Sequence, residues 1–398
     1  NNQQQYQGYN ARTPTPKGAP IKGKKGNKMV SIDDFLKTQE PATPEPESLV
    51  ASPDNLSGMS TPMSHAASTS SLASMASLNT ALQKLSIEPL QANLINLQNS
   101  QKISDAREEC DQIAEIMFSY GASSINDWQI TEVIKSLSKP KNPALIRESS
   151  MLLLQTISRK FAGKTPYEAY FVQFFGPAFD LLSDKENTVK RAAQAAADSL
   201  LGMFPTEACP SVLLTEFLAY LKGSAKWPGK IAALKFVDKF IEESPADLLE
   251  LRFVDAIPVI TDIATDFKPE LAKAGMKTLN SLVKVLDNLD LAPRYDIIVE
   301  TLADPSKVPT CIKTLSSVTF VAEVTEPALS LLVPILDKSL KLSSSSQEQL
   351  RQTVIVIENL TRLVNNKREI ETYIPILLPG VKKIVETASL PEVRDLAS

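Results

Sequence analysis

The residues able to do bond chemistry are few in this chain and badly placed for it. The only histidine is His65, which leaves no material for His-based triads or for most zinc and iron sites elsewhere. Cys110, Cys209 and Cys311 are widely separated and form no CxxC pair. A scattered, odd cysteine count fits a reducing compartment rather than a disulfide framework. No GxxxxGK(S/T) phosphate loop or GxGxxG turn occurs. The nearest string, KGAPIKGKKGNK, lacks the spacing and the flanking strand and helix. The adjacent carboxylates Glu108 with Glu109, and Glu242 with Glu243, point in different directions on a helix and read as solvated surface. These residues predict no catalytic centre, no metal and no cofactor in this chain.

What does recur is a basic residue. Arg147, Lys190, Lys230, Lys273, Lys313, Arg351 and Arg394 follow one another at intervals of 43, 40, 43, 40, 38 and 43. Each opens a run with apolar or small residues at helical spacing, as in TVKRAAQAAADSLL and LRQTVIVIENLTRLV. An earlier run precedes each, several carrying a proline: Pro177, Pro258, Pro334, Pro375 and Pro379. Proline inside a helix removes a hydrogen bond and bends the axis. Asp184, Asp266 and Asp304 lie between the two runs, where they are expected to cap the second. The pattern predicts an all-α, HEAT-type α-solenoid of antiparallel helix pairs. Such hairpins cannot cover their own apolar faces and must stack. Ala192, Ala193, Ala196 and Leu200, or Thr353, Val354, Ile357 and Leu360, should face inward. No sustained period-2 alternation calls for a sheet.

The elements then place the charges. Lys139, Lys141 and Arg147, then Lys185, Lys190 and Arg191, then Lys222, Lys226 and Lys230 fall at successive turns between helices. They are expected along one edge of the array, where they suit ribosomal RNA or an acidic partner. The bland alternative is structural: each basic residue reaches an Asp or a carbonyl of the neighbouring repeat. Trp128 and Trp227 read as core or turn anchors. Beyond residue 80 the chain carries 35 basic and 40 acidic residues, a balance unlike that of a protein coating nucleic acid with its whole surface.

Residues 1–80 have a different texture. They hold 8 prolines and three large aromatics, Tyr6, Tyr9 and Phe35, too little apolar surface to offset chain entropy, so a disordered tail is expected. Its start is Asn/Gln/Tyr-rich and prion-like, with self-association one reading and a plain polar tail the other. Residues 11–28 are basic. Ile32, Phe35 and Leu36 form a short amphipathic island that resembles a docking motif, and Ser/Thr/Pro-rich sequence follows. The array is expected over 81–398, truncated at its C-terminal end. No signal peptide or membrane span is legible, which together with the cysteines predicts a cytoplasmic chain.

Several stretches resemble the helical-repeat region of the fungal translation elongation factor three family of ABC-type ATPases. The main ones are LADPSKVPTCIKTLSSVTFVAEVTEPALSLLVPIL at 302–336 and QEQLRQTVIVIENLTRLVNNKREIETYIPILLPGV at 347–381. DIATDFKPELAK and SDKENTVKRAAQ add to the likeness, and the polar start and the SIDDFLKTQ island resemble a paralogue with a prion-like tail. The resemblance implies a ribosome-docking segment that meets the head of the small subunit. It also implies that the ATPase cassettes, with their ATP and magnesium, lie outside this chain, and that the whole protein acts in elongation and in termination or recycling. No catalytic residue of the family carries over. A general α-solenoid scaffold or transport adaptor is the competing expectation.

Overall fold

The computed structural model describes residues 88–164 and 167–398, all of which fall in one compact unit, Ser64–Ser398. The expected tail, with its basic 11–28 stretch and Ile32, Phe35 and Leu36, lies outside the described residues. So do residues 81–87 of the expected array. Among the described residues the first element is a 3-10 turn, Glu88–Leu90.

The described residues are all-α, with no strand among them. Helices Gln91–Asn99 and Ile103–Tyr120 lead into seven helix pairs. The first four are Ile130–Leu137 with Ala144–Phe161, Phe175–Leu181 with Asn187–Leu201, Leu214–Lys222 with Trp227–Glu243, and Phe253–Ala264 with Pro269–Val283. Tyr295–Ala303 with Val308–Ser316, Glu326–Lys341 with Gln347–Leu363, and Ile374–Thr387 with Pro391–Ala397 complete the set. All seven recurring basic residues lie in the first two turns of second helices, as the spacing predicts. From Phe175–Leu181 onward first helices pack on first helices, and second helices pack on second at several boundaries, Ala144–Phe161 lying between Ile103–Tyr120 and Asn187–Leu201. The architecture is the expected HEAT-type solenoid.

Local chemistry explains where the second helices start. Pro228, Pro269, Pro309 and Pro391 sit at first or second positions, where the missing N–H has no intrahelical partner to lose. The aspartates act one step earlier than expected. The Asp184 side chain accepts from the Glu186 N–H at 2.9 Å, and Asp266 accepts from the Lys268 N–H at 2.8 Å. Both close an Asx turn ahead of the helix rather than capping it. Asp304 makes the same kind of bond, accepting from the Ser306 N–H at 2.9 Å, and caps only the 3-10 turn Pro305–Lys307 that precedes Val308–Ser316. The prolines divide as well. Pro258, Pro334 and Pro379 lie inside helices, but Pro177 and Pro375 sit in the first turn and interrupt nothing.

The core runs continuously through the array. Ala193, Ala196, Leu200, Thr353, Val354 and Leu360 are buried, as their spacing requires, while Ala192 and Ile357 are half-buried against the core. The pairs from Phe175 to Glu243 are filled by phenylalanines: Phe217 meets Phe175 at 4.9 Å and Phe179 at 5.0 Å edge-on, and Phe240 at 5.1 Å in a tilted contact. Each such contact adds about 0.5–1.5 kcal/mol beyond the area it buries. The second-helix layer is less complete at the same place. A groove of 330 Å³ opens between Asn187–Leu201 and Trp227–Glu243, lined by Gln194, Asp198, Ile231, Lys235 and Lys239.

Glycine is required where chain meets chain. A Cβ on Gly275 would lie 2.8 Å from the Ala264 nitrogen, so the fourth helix pair closes only because that position is bare. No described helix is long and apolar enough to cross a membrane, and no described cluster could hold a metal ion. All three cysteines are buried and free. Burial pushes the Cys209 and Cys311 thiols up to about 11 and that of Cys110 higher still, the behaviour of packing residues rather than nucleophiles.

Candidate functional site

Within each pair the chain turns at one end, and these turns make up one edge of the array. Three successive turns, at residues 138–143, 182–186 and 223–226, surround a groove of 940 Å³. Lys139, Lys185 and Lys226 each line it, one from each turn, and Lys135 adds a fourth cation. Lys139, Lys185 and Lys226 are exposed and have no ion pair among the described residues. Gly176, Pro177, Gly223, Ser224 and Ala225 keep the floor low, so an extended chain of charge can approach the backbone. Tyr220 forms one wall, its hydroxyl donating to Asp180 across the repeat boundary at 2.7 Å.

Arg147 departs from the expectation that it meets a partner at the surface. Its side chain is 3% exposed. The guanidinium forks onto Asp184 of the next repeat, Nε to Oδ2 at 2.7 Å and Nη2 to Oδ1 at 2.9 Å. Nη1 also donates to the Asn142 carbonyl in its own turn. Burial pushes the Asp184 carboxyl upward. The Arg147 hydrogen bond, the Glu186 N–H and the Arg147 charge together outweigh it, holding the group below the usual carboxylate range. Here the structural alternative for the basic residues is the correct one. Arg394 does something similar, donating to the Ala388 carbonyl of its own turn at 2.6 Å.

The remaining candidates spread out. Lys141 is exposed in the first turn of the three, and Lys222 in the last turn of Leu214–Lys222. Lys190 and Lys230 are half-buried on their helices. Arg191 belongs to a different face: it lines a groove of 290 Å³ among second helices, with Arg107, Glu148 and Gln155. Trp128 is buried and stacks on Tyr120, a core anchor as expected. Trp227 is 38% exposed with the Lys268 ammonium 5.5 Å above its ring, so it is an edge residue.

Two further cations belong to the same edge and are not among the residues the sequence singles out. Lys268 and Lys307 occupy the next two turns, continuing Lys139, Lys185 and Lys226 in register. Phe267, beside Lys268, is fully exposed. The signal that finds them is an Asp followed within three residues by Lys: Asp184 with Lys185, Asp266 with Lys268, Asp304 with Lys307. A periodicity anchored on the helices passes over it.

Known proteins share this architecture. Residues 106–279 match the family described as EF3 N-terminal HEAT repeat, and residues 307–398 match the Elongation factor 3/GNC1 HEAT repeat. The helical array of this chain belongs to the elongation factor 3 family of HEAT repeats. Over 346 residues the chain is 58% identical to NU+ prion formation protein 1 of Saccharomyces cerevisiae, covering 86% of this chain and 28% of that protein. It is 35% identical over 266 residues to the mRNA export factor elf1 of Schizosaccharomyces pombe, covering 67% of this chain and 25% of the relative. It is 33% identical over 231 residues to Elongation factor 3 of Phytophthora infestans, covering 58% and 22%. The chain thus spans about a quarter of the length of these curated relatives.

Proposed function

We propose that this chain is the ribosome-docking segment of a cytoplasmic ABC-type ATPase that works in translation elongation and in termination or recycling. The segment holds its partner and performs no catalysis. ATP and magnesium serve the whole protein in cassettes outside it. The lysine edge is the contact, with Lys139, Lys185 and Lys226 at its centre and Lys268 and Lys307 extending it along ribosomal RNA at the small-subunit head. The observation carrying this reading is the groove into which three successive turns each deliver an exposed lysine. Lysines on separate repeats neutralise separate phosphates and release their counterions. Lys141, Lys190, Lys222 and Lys230 serve as flanking contacts, while Arg191, on the second-helix face, stands apart from the edge. In the tail, Ile32, Phe35 and Leu36 are a docking motif in this reading, and the Asn/Gln/Tyr-rich start a self-associating element.

Co-sedimentation of the full-length protein with purified ribosomes over a salt series tests it. Saturable pelleting that falls with salt is expected. Pelleting that survives the Lys139→Glu, Lys185→Glu, Lys226→Glu triple change would remove the edge from the interface.

A relative named as an mRNA export factor favours a second reading, in which the same edge holds messenger RNA as a transport adaptor. Free RNA competing as well as ribosomes do for the protein would support it.

A further inference from the structure

The connectors between successive pairs carry a second surface of opposite character. Each hairpin turns at one end and hands over to the next at the other, so the connectors lie at the helix ends remote from the lysines. Four successive connectors each expose one aliphatic side chain: Val212 (40%), Leu251 (73%), Leu289 (81%) and Val321 (75%). A lone exposed leucine means little. These four are held in a row by hydrogen bonds from one connector to the next. Arg252 donates to the Ser211 carbonyl at 3.2 Å, and the Asp287 N–H to Glu250 at 3.3 Å. Asp290 Oδ2 accepts the N–H groups of Val321 at 2.8 Å and Ala322 at 2.7 Å.

Acids crowd the row. Asp247, Glu250 and Asp255 flank Leu251, Asp287 and Asp290 flank Leu289, and Glu323 follows Val321. Three cations are present: Lys284 is exposed ahead of Asp287, and the two arginines are already engaged. Arg252 is spent on the Ser211 carbonyl and lies 3.9 Å from Asp255, while Arg294 donates to the Asp290 carbonyl at 2.7 Å. Burial first, and then the charges of Asp287 and Asp247, hold the Glu250 carboxyl above its ordinary range. Carboxylates crowded in this way await a cation, and they repel phosphate.

We propose that the connector edge docks a lysine- and arginine-rich protein segment carrying aliphatic side chains. The array then grips its target by two chemistries at once, RNA phosphate on the turns and basic protein on the connectors. This rests on the ribosome reading and names a second partner class within it. The aliphatic row supplies desolvation and the acids supply specificity, the usual division between the core and rim of an interface.

The test uses the full-length protein bound to ribosomes, with a photo-reactive phenylalanine replacing Leu289 in one version and Lys226 in another. Irradiation should give an RNase-resistant protein adduct from Leu289 and an RNase-sensitive adduct from Lys226. The Leu251→Ser, Leu289→Ser pair should weaken ribosome binding by roughly tenfold, with the salt slope unchanged. An RNA adduct from Leu289, or no adduct there while Lys226 still crosslinks, overturns the inference and leaves the ribosome reading standing. No adduct from either position, with no pelleting, overturns both.

Discussion

The two edges of the array are built from the same repeats yet present opposite surfaces. The turn edge offers Lys139, Lys185, Lys226, Lys268 and Lys307 over a floor of small residues. The connector edge offers Val212, Leu251, Leu289 and Val321 among carboxylates. Helix dipoles do not explain the difference. Each edge receives one helix N-terminus and one C-terminus per repeat, so the fixed partial charges cancel to first order. Side chains alone set the sign. The edges also differ in how they are fixed. The turns are short and tied by Asx bonds and one buried ion pair, whereas the longer connectors are tied to each other.

The largest blow to this contrast should come from Arg147→Met. It leaves Asp184 buried without its partner, which costs about 3–5 kcal/mol. Urea unfolding should register that destabilisation, and adding Asp184→Leu should recover most of it. The same pair sets an acid limit. Because the Asp184 carboxyl is held below its ordinary range, its contribution is complete above the unfolded value of about 3.9 and disappears as pH falls through the folded value. Melting followed downward from neutral pH should therefore fall less steeply in Asp184→Asn than in the parent.

Charge reversal at Lys139, Lys185 and Lys226 comes next. For every phosphate left without its lysine, the salt slope of ribosome binding should drop by about 0.7–0.9. Arg191→Glu, on the second-helix face, should leave that slope where it was; an equal fall would mean that the face rather than the edge meets the RNA. A smaller effect is expected of Gly229→Ala. Its new methyl group would run into the Tyr220 hydroxyl and crowd the Phe179 carbonyl at 3.2 Å. Stability should fall by about 1–3 kcal/mol as Tyr220 leaves Asp180 and the groove wall shifts, which urea unfolding would measure. Tyr220→Phe in the same chain should relieve part of it. Smallest is Ser346→Ala, which removes the cap that accepts the Gln349 N–H at 3.1 Å. Thermal melting should register about 1 kcal/mol.

The repeat is legible in the sequence because stacking demands it: a basic residue every forty or so positions marks the same turn of the same helix. What that residue does is not legible. Arg147 and Lys230 occupy equivalent places, but only arginine has the fork that matches a carboxylate, and Arg147 faces an aspartate in the next turn. Asp184 and Asp266 fall in the loops where their type predicts them but make a different bond, since an Asx turn and an N-cap read alike in one dimension. Lys268 and Lys307 evade a periodic reading because turn lengths vary while helix periods do not. The connector row is invisible for a related reason. Leu251 and Leu289 look like core residues in sequence, and only the fold turns them outward.

Under load the segment should yield where neighbouring second helices barely touch. Between Asn187–Leu201 and Trp227–Glu243 the second-helix layer is open, while across the array the buried rings of Phe175, Phe179 and Phe217 pack edge to face. A stack of rods with one thin side and one solid side creases rather than flexes evenly. Closing the groove would swing the flanking blocks like two boards of a book about a spine of phenylalanines. The segment is therefore better pictured as a hinged clasp than as a uniform ribbon.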